Sequence, residues 1–266
     1  MSDLGNIITD TSMITDGPRG LIPRDYRSVG HGSLPCAAPM DMPVFSRKEI
    51  VGRVRQREVV GSTLRQLCRE SGLSPKNQGQ TNLCWSNSSV HAAEVFRVAQ
   101  GQPVVSLSAA SVAAPITGYA DVGAWPTQSL QYMVDHGAVP ESLWPNNDVT
   151  TKRWSTPQAN ATRERFRIRE WYDAIDGDRM DAEERFLRAA TLLVLGFPCS
   201  VAYNWMRHAI TLIDVIIQPG TTDQLGFFAH NSGYGRDANG FMTLVGSRAV
   251  PDECLAPRSV TASLSA

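Results

Sequence analysis

The chain has 266 residues, a formal net charge of −1 and an average soluble composition. That length suits one large domain or two small lobes around a shared cleft. The charge argues against bulk electrostatic binding to nucleic acid or anionic membranes, and no run approaches the roughly 18–20 apolar residues of a membrane span. The first residues, Met1-Ser2-Asp3-Leu4-Gly5, lack the basic and apolar regions of a secretion signal, so the expected location is cytoplasmic or inside a particle such as a virion.

Residues 1–45 are rich in Gly, Pro, Ser and Asp and have little periodicity. They predict an extended arm that wraps the domain or docks on a protein partner, such as an oligomer or a viral particle. A floppy tail is the simpler alternative. Ser46-Arg47-Lys48-Glu49 has the form of a capping box, and a charged helix is predicted from it towards Leu67, interrupted at Gly61.

Asn77-Gln78-Gly79-Gln80-Thr81-Asn82-Leu83-Cys84-Trp85-Ser86 then reads as a polar loop entering a helix that runs to Gly101. Cys84 falls at that helix's N-terminus, where unpaired N–H groups favour a thiolate. The other cysteines (Cys36, Cys68, Cys199, Cys254) are scattered, never in a CxxC pair, and each reads as a small buried residue. No metal or cofactor site is indicated.

Ser106-Leu107-Ser108 opens a further short helix, and Thr127–His136 a second clear one before Gly137. The second half is richer in strand patterns: 165–174, 198–203, 208–218, 225–230 and 240–250, with a helix over 181–195. A helical half followed by a β-rich half predicts α+β, two lobes with a cleft between them.

A catalytic thiolate needs a base, almost always histidine. Of five histidines, His208 is favoured because it opens an apolar strand, which places its ring at the strand's edge where a cleft could be; His230 is a second possibility. His31, His91 and His136 lie in the arm, down the same helix and at a helix end. The group orienting the imidazole is Asn231, in a turn-rich segment between strands, or Asp223.

The order Asn77-Gln78-Gly79 … Cys84-Trp85, His208-Ala209-Ile210, Asn231-Ser232-Gly233 … Asn239-Gly240-Phe241 resembles the papain family of cysteine peptidases (C1 type), as a divergent phage or bacterial member. Gly118-Tyr119 … Gly123-Ala124-Trp125-Pro126 is similar to its glycine-bearing substrate segment. The resemblance covers about residues 70–250. It implies a papain-like domain over 46–266, with a helical lobe at about 70–160 and a β-rich lobe at about 161–250. It also implies roles: Cys84 the nucleophile, His208 the base, Asn231 its orienting partner, and Gln78 with the Cys84 N–H the oxyanion hole. Gly123 and Trp85 are the substrate-binding candidates, although packing beside the nucleophile is the simpler role for Trp85. The activity implied is hydrolysis of a peptide or protein substrate through a thioester.

The departures are specific. Thr81 replaces a disulfide cysteine. Asn82-Leu83 is bulkier than the usual Gly-Ser pair and is expected to narrow the cleft. Gly233 stands where a tryptophan would shield the His–Asn hydrogen bond, with Tyr234 its nearest substitute. No inhibitory prosegment is recognisable. The alternative from another class is a papain fold kept as a binding or structural protein, for example in a phage particle.

Overall fold

The computed structural model describes residues 4–14 and 17–261. Seven α-helices are described: α1 (Arg47–Val60), α2 (Leu64–Ser71), α3 (Cys84–Ala99), α4 (Ala109–Thr117), α5 (Pro126–Asp135), α6 (Pro157–Thr162) and α7 (Ala182–Val194). Local chemistry sets their ends. Ser46 and Glu49 form the predicted capping box at the start of α1, and Gly61 closes that helix in the left-handed region (φ 67°). Ser108 caps α4 and Asp181 caps α7.

The strands are β1 (Asn6–Ile8), β2 (Ala37–Pro39), β3 (Ile168–Asp173), β4 (Cys199–Tyr203), β5 (His208–Ile217), β6 (Leu225–His230), β7 (Phe241–Val245) and β8 (Glu253–Val260). They form a single sheet in the order β1-β7-β6-β5-β4-β8-β3-β2. The six central strands pair antiparallel, and the arm supplies both parallel edges, β1 on β7 and β2 on β3. The arm therefore wraps its own domain. It also covers both edges of the sheet, which would otherwise be open to pairing with another chain.

One expectation fails at the C-terminal side. The β-rich part was expected to end near residue 250, yet β8 lies beyond it and sits between β4 and β3. Pro251 and Pro257 disguise this strand, because proline removes a ladder donor. The expected strand over 240–250 stops at Val245 and gives way to a 3-10 turn, Gly246–Ala249.

The sheet is covered on both faces. On one side Ile50 and Val54 of α1 and Phe186 and Leu193 of α7 pack with Leu212, Phe227 and Leu244. On the other, Val90 and Ala93 of α3 and Leu130 and Met133 of α5 pack with Trp171 and Leu255. A separate apolar core (Leu83, Trp85, Ala110, Ala113, Trp144) belongs to the helical part. Helix α3 is buried along nearly its whole length, between this helical core and the sheet. Its first residue, Cys84, meets the start of β5 at that junction.

Candidate active site

Cys84 begins α3, whose N-cap, Leu83, makes no side-chain cap, so the first N–H groups are left to act on the sulfur. Cys84 is fully buried, packed with Leu21, Ala202 and Ala209. Ala202 and Ala209 are register partners on β4 and β5, and His208, the first residue of β5, directly precedes Ala209 in the chain.

His208 is held from its far side. Its Nε2 lies 2.8 Å from Asn231 Oδ1, and Asn231 Nδ2 donates to the Tyr234 carbonyl at 2.6 Å. That second bond fixes the amide so that oxygen faces the imidazole, and His208 must then carry its proton on Nε2. His208 Nδ1 is left with a lone pair; it is buried and has no hydrogen-bond partner among the described residues. Asp223, the rival acceptor, sits on the β5–β6 turn at the opposite end of a ten-residue strand, roughly 30 Å from His208.

Gln78 is also brought in. Its Oε1 accepts from Ser232 Oγ at 2.8 Å, its Nε2 donates to Thr81 O at 2.8 Å, and its backbone N–H donates to Ser232 O at 2.9 Å. Ser232 is thus the residue that ties the glutamine loop to the asparagine turn. Its position directly after Asn231 was the only sequence signal for it.

Gly233 has a positive reason to be glycine. A Cβ there would stand 2.6 Å from His208 Cε1 and 2.8 Å from Nε2. Its N–H adds a second donor to Asn231 Oδ1 at 2.9 Å. Backbone lies against the imidazole where a tryptophan was expected, and Tyr234 covers the ring, with centroids 4.7 Å apart and its hydroxyl donating to Met206 O.

The structure bears on three expectations here. Trp85 packs into the helical core instead of facing a substrate, and its indole N–H donates to Val122 O, bracing the segment that carries Gly123. Leu83, of the pair expected to narrow the cleft, is buried in the same core, while Asn82, the other half of that pair, presents its carbonyl to Gly20 of the arm. Finally, the arm does run through the cleft, although no inhibitory segment was recognisable in its sequence. Leu21 forms a parallel bridge with Ala124, Ala124 N–H donates to Gly20 O at 3.0 Å, and Ile22 N–H donates to Ala124 O at 3.3 Å. A Cβ on Gly123 would lie 2.5 Å from Gly20 O, so the contact predicted for an extended peptide is made by the chain's own arm.

The arm is anchored just beyond this point. Arg24, buried, donates to both oxygens of Asp173 (2.9 and 2.8 Å) and to Glu253 at 3.2 Å, and it stacks on Tyr26 at 4.4 Å. Gly32 N–H adds to Asp173 at 2.8 Å, and His31 Nε2 reaches the Asp173 carbonyl at 2.7 Å.

Enclosure sets the electrostatics. Burial pushes the Cys84 thiol up to about 11, although the N–H groups of Ala209 and Gly20 pull the other way. Burial lowers His208 to about 4, against the raising effect of Asn231. With the arm in place, both groups are neutral at pH 7.

No family model and no curated protein matches the amino-acid sequence. Solved structures do match. The chain superposes on xylellain, a cysteine protease from Xylella fastidiosa, with a TM-score of 0.60 and 16% identity, covering 96% of this chain and 99% of that one. Procathepsin L 3 from Tenebrio molitor larval midgut gives 0.55 at 20% identity, covering 71% and 68%. Bromelain from Ananas comosus, solved with the inhibitor E64, gives 0.53 at 16% identity, covering 73% and 96%. The fold is papain-like. The expected α+β architecture, a helical part and a β-rich part, is the one these neighbours share.

Proposed function

We propose that this protein is a cysteine peptidase, held latent by its own N-terminal arm, that hydrolyses peptide bonds through a thioester on Cys84. The observation carrying this reading is the His208–Asn231 bond. It leaves His208 Nδ1 buried with a lone pair, on the residue that precedes Ala209, which packs against Cys84.

In the open form, water reaches the cleft and the burial penalty on both groups falls. The Cys84 proton passes to His208 Nδ1, and the helix N-terminus and imidazolium stabilise the thiolate. Sγ attacks the scissile carbonyl carbon. The oxyanion is received by the Cys84 N–H and the Gln78 amide, donors of a kind worth about 10²–10³ in rate each. His208 Nδ1–H then protonates the leaving amine as the C–N bond breaks. Water, deprotonated by the same nitrogen, hydrolyses the thioester and restores the thiol. Asn231 keeps the ring's orientation throughout.

In the closed form the arm occupies the cleft without being a substrate. It presents the Gly20 N–H to the sulfur, a donor rather than an electrophilic carbon. The test is iodoacetamide alkylation of Cys84 against pH, with and without His208→Ala, in a protein whose arm has been displaced by Gly20→Val. A pKa below about 8.5 that rises when His208 is removed supports the reading. An open cleft whose thiol is indifferent to His208 would mean a papain fold kept for binding alone.

A further inference from the structure

A second constellation of titratable groups lies behind the site. Glu94 and His91, on α3, and His230, at the end of β6, form a buried chain. Glu94 Oε2 is 2.7 Å from His91 Nδ1, and His91 Nε2 is 2.8 Å from His230 Nδ1. Lys76 Nζ lies 2.7 Å from the other Glu94 oxygen. Burial raises the Glu94 carboxyl, but Lys76 and His91 outweigh it and keep the group below its ordinary range. Burial, then His91, holds His230 well below the ordinary histidine value. In the neutral form of the pair, the ionised Glu94 accepts from His91 Nδ1–H, His91 Nε2 accepts from His230 Nδ1–H, and the chain ends in a lone pair on His230 Nε2.

That nitrogen has no hydrogen-bond partner among the described residues and is not sealed inside the protein, since His230 borders a cavity. His230 lines a cavity of about 730 Å³ between α2 and the 239–241 segment, well within the size of small-molecule sites. Phe228 and Phe241 give it an apolar wall, and Arg65, Arg69 and Glu58 give it a charged rim. Arg65 is 3.7 Å from Glu58, whereas Arg69 has no ion pair or side-chain hydrogen bond among the described residues.

These features restrict the ligand. Two guanidinium groups against one carboxylate suit a single negative charge. An acceptor facing the cavity suits a ligand N–H or O–H, whereas an anion without a donor would set lone pair against lone pair. The aromatic wall needs an apolar body.

We propose that this cavity is a second ligand site that takes the C-terminal end of a peptide. The free carboxylate would lie on Arg69 and Arg65, an amide N–H on His230 Nε2, and an apolar side chain on Phe228 and Phe241. Hydrolysis generates such ends, so the ligand class is that of a peptidase product, a link that rests on the function proposed above. The site is one residue from Asn231, and the cavity wall at Pro75 packs on Gly240, whose carbonyl accepts from Asn231 N–H.

The test uses the full chain carrying Cys84→Ala, so binding is read without turnover and its failure leaves the alkylation test of the peptidase reading untouched. The probe is N-acetyl-L-leucyl-L-phenylalanine, compared with its C-terminal amide by calorimetry and by the imidazole ¹⁵N spectrum of His230. Expected are one molecule bound per chain, a shifted His230 Nε2 resonance, and at least about tenfold weaker binding of the amide and of the acid to Arg69→Gln. No shift at His230 up to about 10 mM, weaker than any useful recognition, overturns the proposal. So does binding that Arg69→Gln leaves unchanged, since the carboxylate would then not lie on that guanidinium. Equal binding of acid and amide removes the carboxylate as the recognised group and overturns it as well.

Discussion

The α-carbon of Gly20 lies against the carbonyl of Asn82 so closely that a Cβ there would stand 1.6 Å from the oxygen. Asn82 is not free to retreat, because its N–H donates to Asp121 Oδ1 at 2.8 Å and its side-chain amide reaches the Asp121 carbonyl at 3.3 Å. The arm can occupy the cleft only because this residue has no side chain. The contact lies two residues from the cysteine.

Gly20→Val is therefore expected to expel the cleft segment while Arg24 keeps the arm attached. Cys84 alkylation at pH 7 should rise by about 100-fold, because an open thiol returns towards its ordinary pKa. Hydrolysis of a fluorogenic peptide should appear with it and be absent from Gly20→Val/Cys84→Ala. Unchanged alkylation would show that the arm is no barrier.

The closed form should also depend on pH. His208, lowered to about 4, takes up fewer protons closed than open, so closure weakens as pH falls from 6.5 towards 4. Cys84, raised to about 11, stays protonated when closed, so closure also weakens as pH rises from 9 towards 11. At roughly 1.4 kcal/mol per pKa unit, the acid arm of this profile amounts to about 3 kcal/mol. Hydrogen exchange at Leu21 and Ile22, followed against pH, should be slowest between about 6.5 and 9. A profile flat from pH 4 to 9 would count against the coupling.

Gly233→Ala should act on the imidazole itself. The added methyl would meet His208 Cε1 at 2.6 Å, where backbone on one side and the Tyr234 ring on the other leave no room to yield. An overpacking cost of about 1–3 kcal/mol is expected in denaturant titration. Peptidase activity in the Gly20→Val background should drop by about 100-fold, since a misplacement near 1 Å is enough. Activity equal to that of the parent would mean the ring tolerates displacement.

Arg24→Ala should be the most destabilising of these changes. It leaves the Asp173 carboxylate and Glu253 buried together without their guanidinium, a loss of about 3–5 kcal/mol by urea unfolding. Glu253 is already raised to about 7 by burial and by Asp173, despite Arg24. The variant should recover stability as pH falls from 7 towards 4.5, where protonation of Glu253 relieves the repulsion. A midpoint indifferent to pH over that range would argue against an uncompensated carboxylate.

The amino-acid sequence by itself determined the elements whose signals are local. The capping box at Ser46, the glycine stop at Gly61, the start of α3 at Cys84 and the strands at 199–203, 208–217 and 225–230 all rest on propensity, periodicity or a cap within a few residues. It also determined which residue types were available, so the spacing from Gln78 to Cys84 and the order of His208 and Asn231 could be read directly. Tertiary structure decided the rest. Whether Asp223 or Asn231 meets His208 depends on which end of β5 each occupies, and that is a matter of strand pairing. The strand Glu253–Val260 was hidden by its prolines, because its place mid-sheet comes from partners more than 50 residues away. The arm carried no periodic signal: its hold on the cleft consists of a backbone bridge to Ala124, a missing Cβ at Gly20 and one buried arginine. Interactions made through the main chain leave little trace in side-chain pattern, so they appear only when the chain is folded.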